Sequence, residues 1–259
     1  MTDLHPKIPK RDRRDAARIA ARALREEERR RSKRRRLFAV GGGTVGIVAI
    51  GLAVTMGIMA AIQPPPAPRN TQSGAIVIGD TTSGAVRVVI YQDYLCPHCG
   101  TFESTNGQQL ASRVAAGTAT LEVHPLAILT TMSSGTKYSL RAANAAVCVA
   151  DHAPASFLDF NQALFAHQPA ENTPGLTDAE IKGLLPASIT GSGVVNCIDD
   201  GTFNRWVQSE TNRATTTPVP GTDLKRIVST PTVLIDGTLF SGDISDPAAL
   251  AAHFGDADR

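Results

Sequence analysis

Aromatic and charged residues are both scarce in this chain, at 5% and 19% of 259 residues. Against 42% hydrophobic residues, so little charge excludes a disordered polymer, and the length admits one globular domain of ordinary size with accessory segments. Basic residues are scarce beyond position 36. Residues 37–259 hold 11 Lys and Arg against 18 Asp and Glu, whereas residues 1–36 hold 15 against 6, so the net charge of +2 describes neither part. A folded nucleic-acid interface needs cations spread over its surface to neutralise phosphates. The acidic body excludes one, and no nucleic-acid partner is expected. Cysteine is rare too. Four are too few for a disulfide scaffold, but two of them form Cys96-Pro97-His98-Cys99, which leaves redox or metal chemistry open.

Charge is missing altogether from Leu37 to Ile62, a run of 26 residues, and a helix of about 20 such residues crosses a hydrocarbon core. Residues 37–62 therefore read as a transmembrane helix. Residues 1–36 form a basic tail, densest from Arg29 to Arg36, which the positive-inside bias keeps in the cytoplasm while everything after Pro64 faces outward. A cleaved signal peptide is the rival reading, but the apolar run exceeds the usual length of about 7 to 15 residues. Gly41, Gly43 and Gly46 match a nucleotide-binding fingerprint by chance, with no strand before them and no acid at the required distance after.

Residues 63–73, rich in Pro and polar side chains, read as a semi-rigid spacer, and residues 74–259 as the folded domain. Ala75 to Ile78, followed by Gly79-Asp80 and Ser83-Gly84, suggests a short leading hairpin, and Val86 to Tyr91 is a β-branched run aimed at Cys96. Phe102 to Ala116 fits a helix stopped by Gly117, and Thr118 to His124 fits a second strand. Over about 137–217 the pattern turns helical: Tyr138 to Ala150, Ala155 to Phe165, Asp178 to Leu185 and Phe203 to Arg213. Thr232 to Ile235 and Leu239 to Phe240 then flank the Asp236-Gly237 turn, and Pro247 to Phe254 closes the chain as a helix. The plan is α/β with a mixed sheet and an all-helical insertion.

A Cys-X-X-Cys at a strand-to-helix junction puts its first sulfur at a helix amino terminus, where unpaired N–H groups and the macrodipole favour a thiolate. Pro97 suits the first helical turn, and the His98 imidazole in its charged form adds to the stabilisation. A favoured thiolate makes a more oxidising disulfide, because reduction then yields the stabilised product. On this reading Cys96 is the exposed attacking sulfur, and Cys99, one turn later and more buried, resolves the mixed disulfide. Structural zinc would need a second ligand pair, which neither Cys148 nor Cys197 supplies, and covalent haem would need His where Gly100 stands. No metal and no cofactor is expected.

The segment VVIYQDYLCPHCGTFES, with VSTPTVLIDG far downstream, resembles the DsbA-type thiol-disulfide oxidoreductases, in particular the membrane-anchored actinobacterial ones. The resemblance runs from Ala75 to Phe254. It implies a thioredoxin-like fold with an inserted helical subdomain, preceded here by one transmembrane helix. It also implies a cis Thr230-Pro231 loop facing the cysteine pair, where Thr230 offers backbone groups to an extended substrate. The substrates it implies are thiols of exported proteins, and the reoxidising partner is a membrane protein of the DsbB or vitamin K epoxide reductase-like type. Cys148 and Cys197, placed on helices of the insertion, correspond to a second, structural disulfide; the alternative is two buried free thiols. A reductase or isomerase serving cytochrome maturation, or a membrane-anchored peptide-binding module, are the alternative functions. Two departures stand out. Ile90 occupies the place of the buried acid six residues before the first cysteine, and the nearest acid, Asp93, either relays a proton to Cys99 or sits at the strand end in water, the second being the preferred reading. No Trp precedes Cys96, and Trp206 reads as a packing residue of the insertion.

Overall fold

The computed structural model describes residues 22, 25–33, 55, 65–80, 84–189 and 191–254. The chain divides into two units, residues 1–64 and 65–259. In the first, residues 25–33 are helical and exposed. Apart from Thr55, the span expected over 37–62 lies outside the described residues, among which no helix is long and apolar enough to cross a membrane.

The second unit is built on a sheet of β1 (Thr71–Gln72), β2 (Ala75–Ile78), β3 (Val86–Asp93), β4 (Ala119–Leu126), β5 (Thr232–Ile235) and β6 (Thr238–Leu239). Their spatial order is β1-β2-β4-β3-β5-β6, with β3 and β4 parallel and every other pair antiparallel. Parallel neighbours need a crossover. Helix α1 (Pro97–Ala115) makes it, starting at the redox motif and stopping before Gly117, whose φ of 72° is readily adopted only without a side chain.

The leading hairpin closes upstream, not downstream. Ser73 and Gly74 both have positive φ, as a two-residue type I′ turn requires, and they pair Thr71 with Ile76. The end of the expected spacer is therefore part of the sheet. Arg69 anchors it further: its main-chain N–H donates to the Asp151 carboxylate at 2.6 Å, and its guanidinium does so at 2.9 Å.

The insertion comprises α2 (Tyr138–His152), α3 (Phe157–Ala166), α4 (Asp178–Gly183), α5 (Ser192–Asp199) and α6 (Asn204–Thr216), with α7 (Pro247–Ala251) after the last strand. Helix α5 falls outside the four segments that periodicity marked. Its eight residues begin with Ser192-Gly193 after the Gly191 N-cap and carry only a short apolar stripe of Val194, Cys197 and Ile198. Cys197 is disulfide-bonded to Cys148 on α2, with both residues buried. Trp206 on α6 packs in the same core.

Both faces of the sheet are covered. Val88, Ile90, Leu121 and Val123 face α1 and the insertion, whereas Val89, Tyr91, Leu126 and Leu234 pack against Ala214 of α6, Val219 and Ile227. Each such side chain contributes roughly 1.5–3 kcal/mol on burial. On the second face His124 stacks on Tyr91 at 4.1 Å, and burial, aided by Arg213, pushes its pKa down to about 3.

Candidate active site

Strand β3 ends at Asp93, and three residues later Cys96 is the N-cap of α1 with Pro97 as its first residue. The missing N–H of Pro97 costs nothing there, since the first helical donors have no intrahelical acceptor. The Cys96 carbonyl accepts from the N–H groups of Cys99 at 3.0 Å and Gly100 at 3.2 Å, which starts the helix. Both cysteines are in the free thiol form. The Thr230-Pro231 peptide is cis, and the Cys96 thiol donates to the Thr230 carbonyl at 3.1 Å.

Cys96 is not the exposed sulfur expected, for the residue is only 7% exposed because the Thr230-Pro231 loop lies against it. Cys99 is deeper, at 2%. Their acidities diverge sharply. The Cys99 thiol, Thr230, and the backbone N–H groups of Cys99 and His98 together hold Cys96 down at about 5, against the opposing effect of burial. Burial, followed by the Cys96 charge, pushes Cys99 well up. His98 itself is exposed, and the group it presents to the Cys96 sulfur is its backbone N–H.

Asp93 corrects the sequence reading. It is fully buried rather than in water, and its carboxylate accepts from Leu95 N–H and Leu129 N–H at 2.9 Å and from the Ser139 hydroxyl at 2.7 Å. Burial raises its pKa to about 6 despite these donors. Its own N–H donates to Cys99 Sγ at 3.5 Å. A strand-end acid is a water-facing residue only if nothing packs over it, and here α2 brings Ser139 on top.

Three further residues escaped sequence reasoning. Glu103, one turn beyond Cys99 on α1, is pushed up to about 7 by burial; its i,i+4 spacing from Cys99 was the available signal. Asn161 on α3 accepts at Oδ1 from Gln92 at 2.7 Å and Tyr94 at 2.8 Å, joining the insertion to the end of β3. Gln168, just after α3, donates to the carbonyls of Tyr94 and Cys96. Neither of these two carries a local motif.

Beside the cis-proline loop runs a groove of about 170 Å³ lined by Leu224, Val228, Pro231, Leu239, Phe240 and Ile244. Val228 and Leu239, 76% and 47% exposed, are the large hydrophobic residues left open among the described ones. In the same set no three His, Cys, Asp or Glu gather to hold a metal ion.

A cysteine pair that opens the helix after a central strand, faced by a cis-proline loop, defines a thioredoxin-fold thiol-disulfide centre. Residues 71–252 match the family described as Thioredoxin, and the chain belongs to it. It is similar to DsbG, a disulfide bond oxidoreductase of Mycobacterium tuberculosis, in its reduced form: 29% identity and a TM-score of 0.58, over 70% of this chain and 85% of that one. Reduced DsbA of Mycobacterium tuberculosis is 28% identical with a TM-score of 0.58, over 70% and 91%. Among curated proteins, the serine/threonine-protein kinase PknE of Mycobacterium tuberculosis is 30% identical over 132 residues, 49% of this chain. The match spans 23% of the kinase's length. The domain is a DsbA-like thiol-disulfide oxidoreductase.

Proposed function

We propose that the protein is a membrane-anchored oxidase that donates the Cys96–Cys99 disulfide to exported proteins. A substrate thiolate attacks Cys96 Sγ, the Cys96–Cys99 bond breaks, and the electron pair and then a proton go to Cys99. A second substrate thiolate attacks the substrate sulfur of the mixed disulfide, and Cys96 leaves as a thiolate. Two electrons have passed to the protein, and the substrate holds the new disulfide. The divergence of the two sulfurs carries this reading: a thiolate stable at about 5 is a good leaving group at neutral pH, and its stability favours the reduced product. The groove of Val228 and Leu239 beside Pro231 suits an apolar segment flanking the substrate cysteine, while the half-buried Thr230-Pro231 loop at its side suits strand-like pairing with an extended substrate.

The apolar run 37–62 is the anchor, the basic tail stays in the cytoplasm, and the domain works outside it. A membrane partner of the DsbB or vitamin K epoxide reductase-like type then removes the two electrons. Equilibration of the full chain with glutathione tests the direction. A potential well above the roughly −270 mV of thioredoxin, toward the roughly −120 mV of DsbA, is expected. A value near thioredoxin's would assign the protein to reduction instead. Loss of oxidase activity in Cys96→Ser with unchanged folding would count against a non-enzymatic binding module, and retained activity would overturn the role of Cys96.

A further inference from the structure

Position 100 is a glycine inside α1, and its backbone does not require one, because its φ is not positive. Glycine weakens a helix interior relative to alanine. What stands over it is the Gln168 side chain: a Cβ at position 100 would lie 2.5 Å from Gln168 Oε1 and 3.3 Å from its Cδ. The amide is held there by two donations from Nε2, to the Tyr94 carbonyl at 3.0 Å and to the Cys96 carbonyl at 2.9 Å. Those carbonyls flank Leu95 in the turn that delivers Cys96 to the helix. Tyr94 is fully buried and its ring lies 4.9 Å from Phe165, at the end of the helix that precedes Gln168.

We propose that Gln168 is a positioning residue of the redox centre, its amide fixing the Tyr94 and Cys96 carbonyls away from the Cys96 sulfur, and that Gly100 is present to admit it. The physical reason lies in the charge that reduction creates. Carbonyl oxygens carry partial negative charge, and beside a thiolate they oppose it unless donors hold and partly neutralise them. The Cys96 carbonyl has three donors, the N–H groups of Cys99 and Gly100 and the Gln168 amide, and only the last comes from the insertion. The helical insertion thereby acts on the chemistry of a turn about 70 residues earlier, in addition to covering it.

This inference rests on Cys96–Cys99 being a thiol-disulfide exchange centre, and two readouts on the full chain separate the two ideas. One is the thiolate absorbance of Cys96 against pH, which needs no exchange. The other is the equilibrium with glutathione, in which two glutathione thiols leave as one disulfide and two electrons pass to the cysteine pair. Gln168→Ala should raise the Cys96 pKa and lower the equilibrium constant for reduction about tenfold, which is about 30 mV for a two-electron couple. Gln168→Glu, which keeps the shape but as a carboxylate cannot donate, should shift both further at pH values where it is ionised. Gly100→Ala should improve the helix yet displace the amide and reproduce the Gln168→Ala shift, and the double variant should add nothing to either single one. A purely structural role predicts instead that Gly100→Ala changes stability alone and leaves the couple unmoved. Unchanged Cys96 titration and less than a twofold change in equilibrium in both Gln168→Glu and Gly100→Ala would overturn the proposal, even if Gln168→Ala did not fold. A parent protein whose Cys96–Cys99 pair never exchanges with glutathione would overturn the proposed function, while the titration would still decide the role of Gln168.

Discussion

Reducing the Cys96–Cys99 pair should give the protein a dependence of stability on pH that the oxidised form lacks. In the folded reduced chain Cys96 titrates at about 5, against about 8.5 for a cysteine in an unfolded chain. A group whose folded pKa is depressed stabilises fully above its unfolded value and loses that contribution as pH falls through the folded one. At pH 7 the contribution corresponds to two pH units above 5, about 3 kcal/mol at about 1.4 kcal/mol per unit. Solvent screening of a sulfur that still meets water reduces this to about 1–2 kcal/mol. Cys99, pushed up, stays protonated in both states over this range and adds nothing. Three other buried groups do titrate here. His124, depressed to about 3, withdraws stability as pH falls below its unfolded value, whereas Asp93 and Glu103, raised to about 6 and 7, return stability as they protonate. All three are present in both redox forms; His124 and Glu103 cancel in the difference, and Asp93 cancels except for the part of its rise that the Cys96 charge causes. Denaturant midpoints of the two forms at pH 4, 5.5 and 7, with Cys148–Cys197 kept oxidised, measure that difference directly. The stability of the reduced form relative to the oxidised one should rise by about 1–2 kcal/mol from pH 4 to pH 7. A flat or falling difference would refute the thiolate account of the oxidising power.

Two other outcomes follow from separate parts of the fold. Replacing Cys148 and Cys197 together by Ala opens a loop with a sequence separation of 49, and calorimetry should find a loss of about 4 kcal/mol with the Cys96 titration unmoved; a shifted titration would mean that the disulfide acts on the active site. Val228→Ser and Leu239→Ser, both at exposed positions, should leave stability within about 0.5 kcal/mol. They should slow oxidation of a dithiol peptide with apolar flanking residues several-fold while sparing oxidation of glutathione, and an equal effect on both substrates would remove the groove from substrate binding.

Local chemistry wrote much of this protein into its sequence. The β-branched run from Val86, the Cys-Pro-His-Cys that caps a helix with Pro97 in its first turn, and the Asp236-Gly237 hairpin all depend on neighbours within a few residues. Spacing alone therefore placed them. Element ends moved by a few residues because ends are settled by capping and packing: α4 stops at Gly183, short of the expected Leu185. Helix α5, expected around Cys197 but given no bounds, has an apolar stripe too short for a periodicity to display.

What the sequence by itself determined is the redox pair, the strand and helix that flank it, and the lowering of the Cys96 pKa that a helix terminus contributes, since these rest on covalent neighbours and backbone geometry. Tertiary structure alone decided what surrounds the sulfurs. Thr230 reaches Cys96 across 134 residues, Gln168 across 72, and Ser139 reaches Asp93 across 46. Burial is a property of whatever packs on top, so the same Asp93 that belongs in water at the end of a bare strand becomes a buried acid with a pKa of about 6 once α2 lies over it.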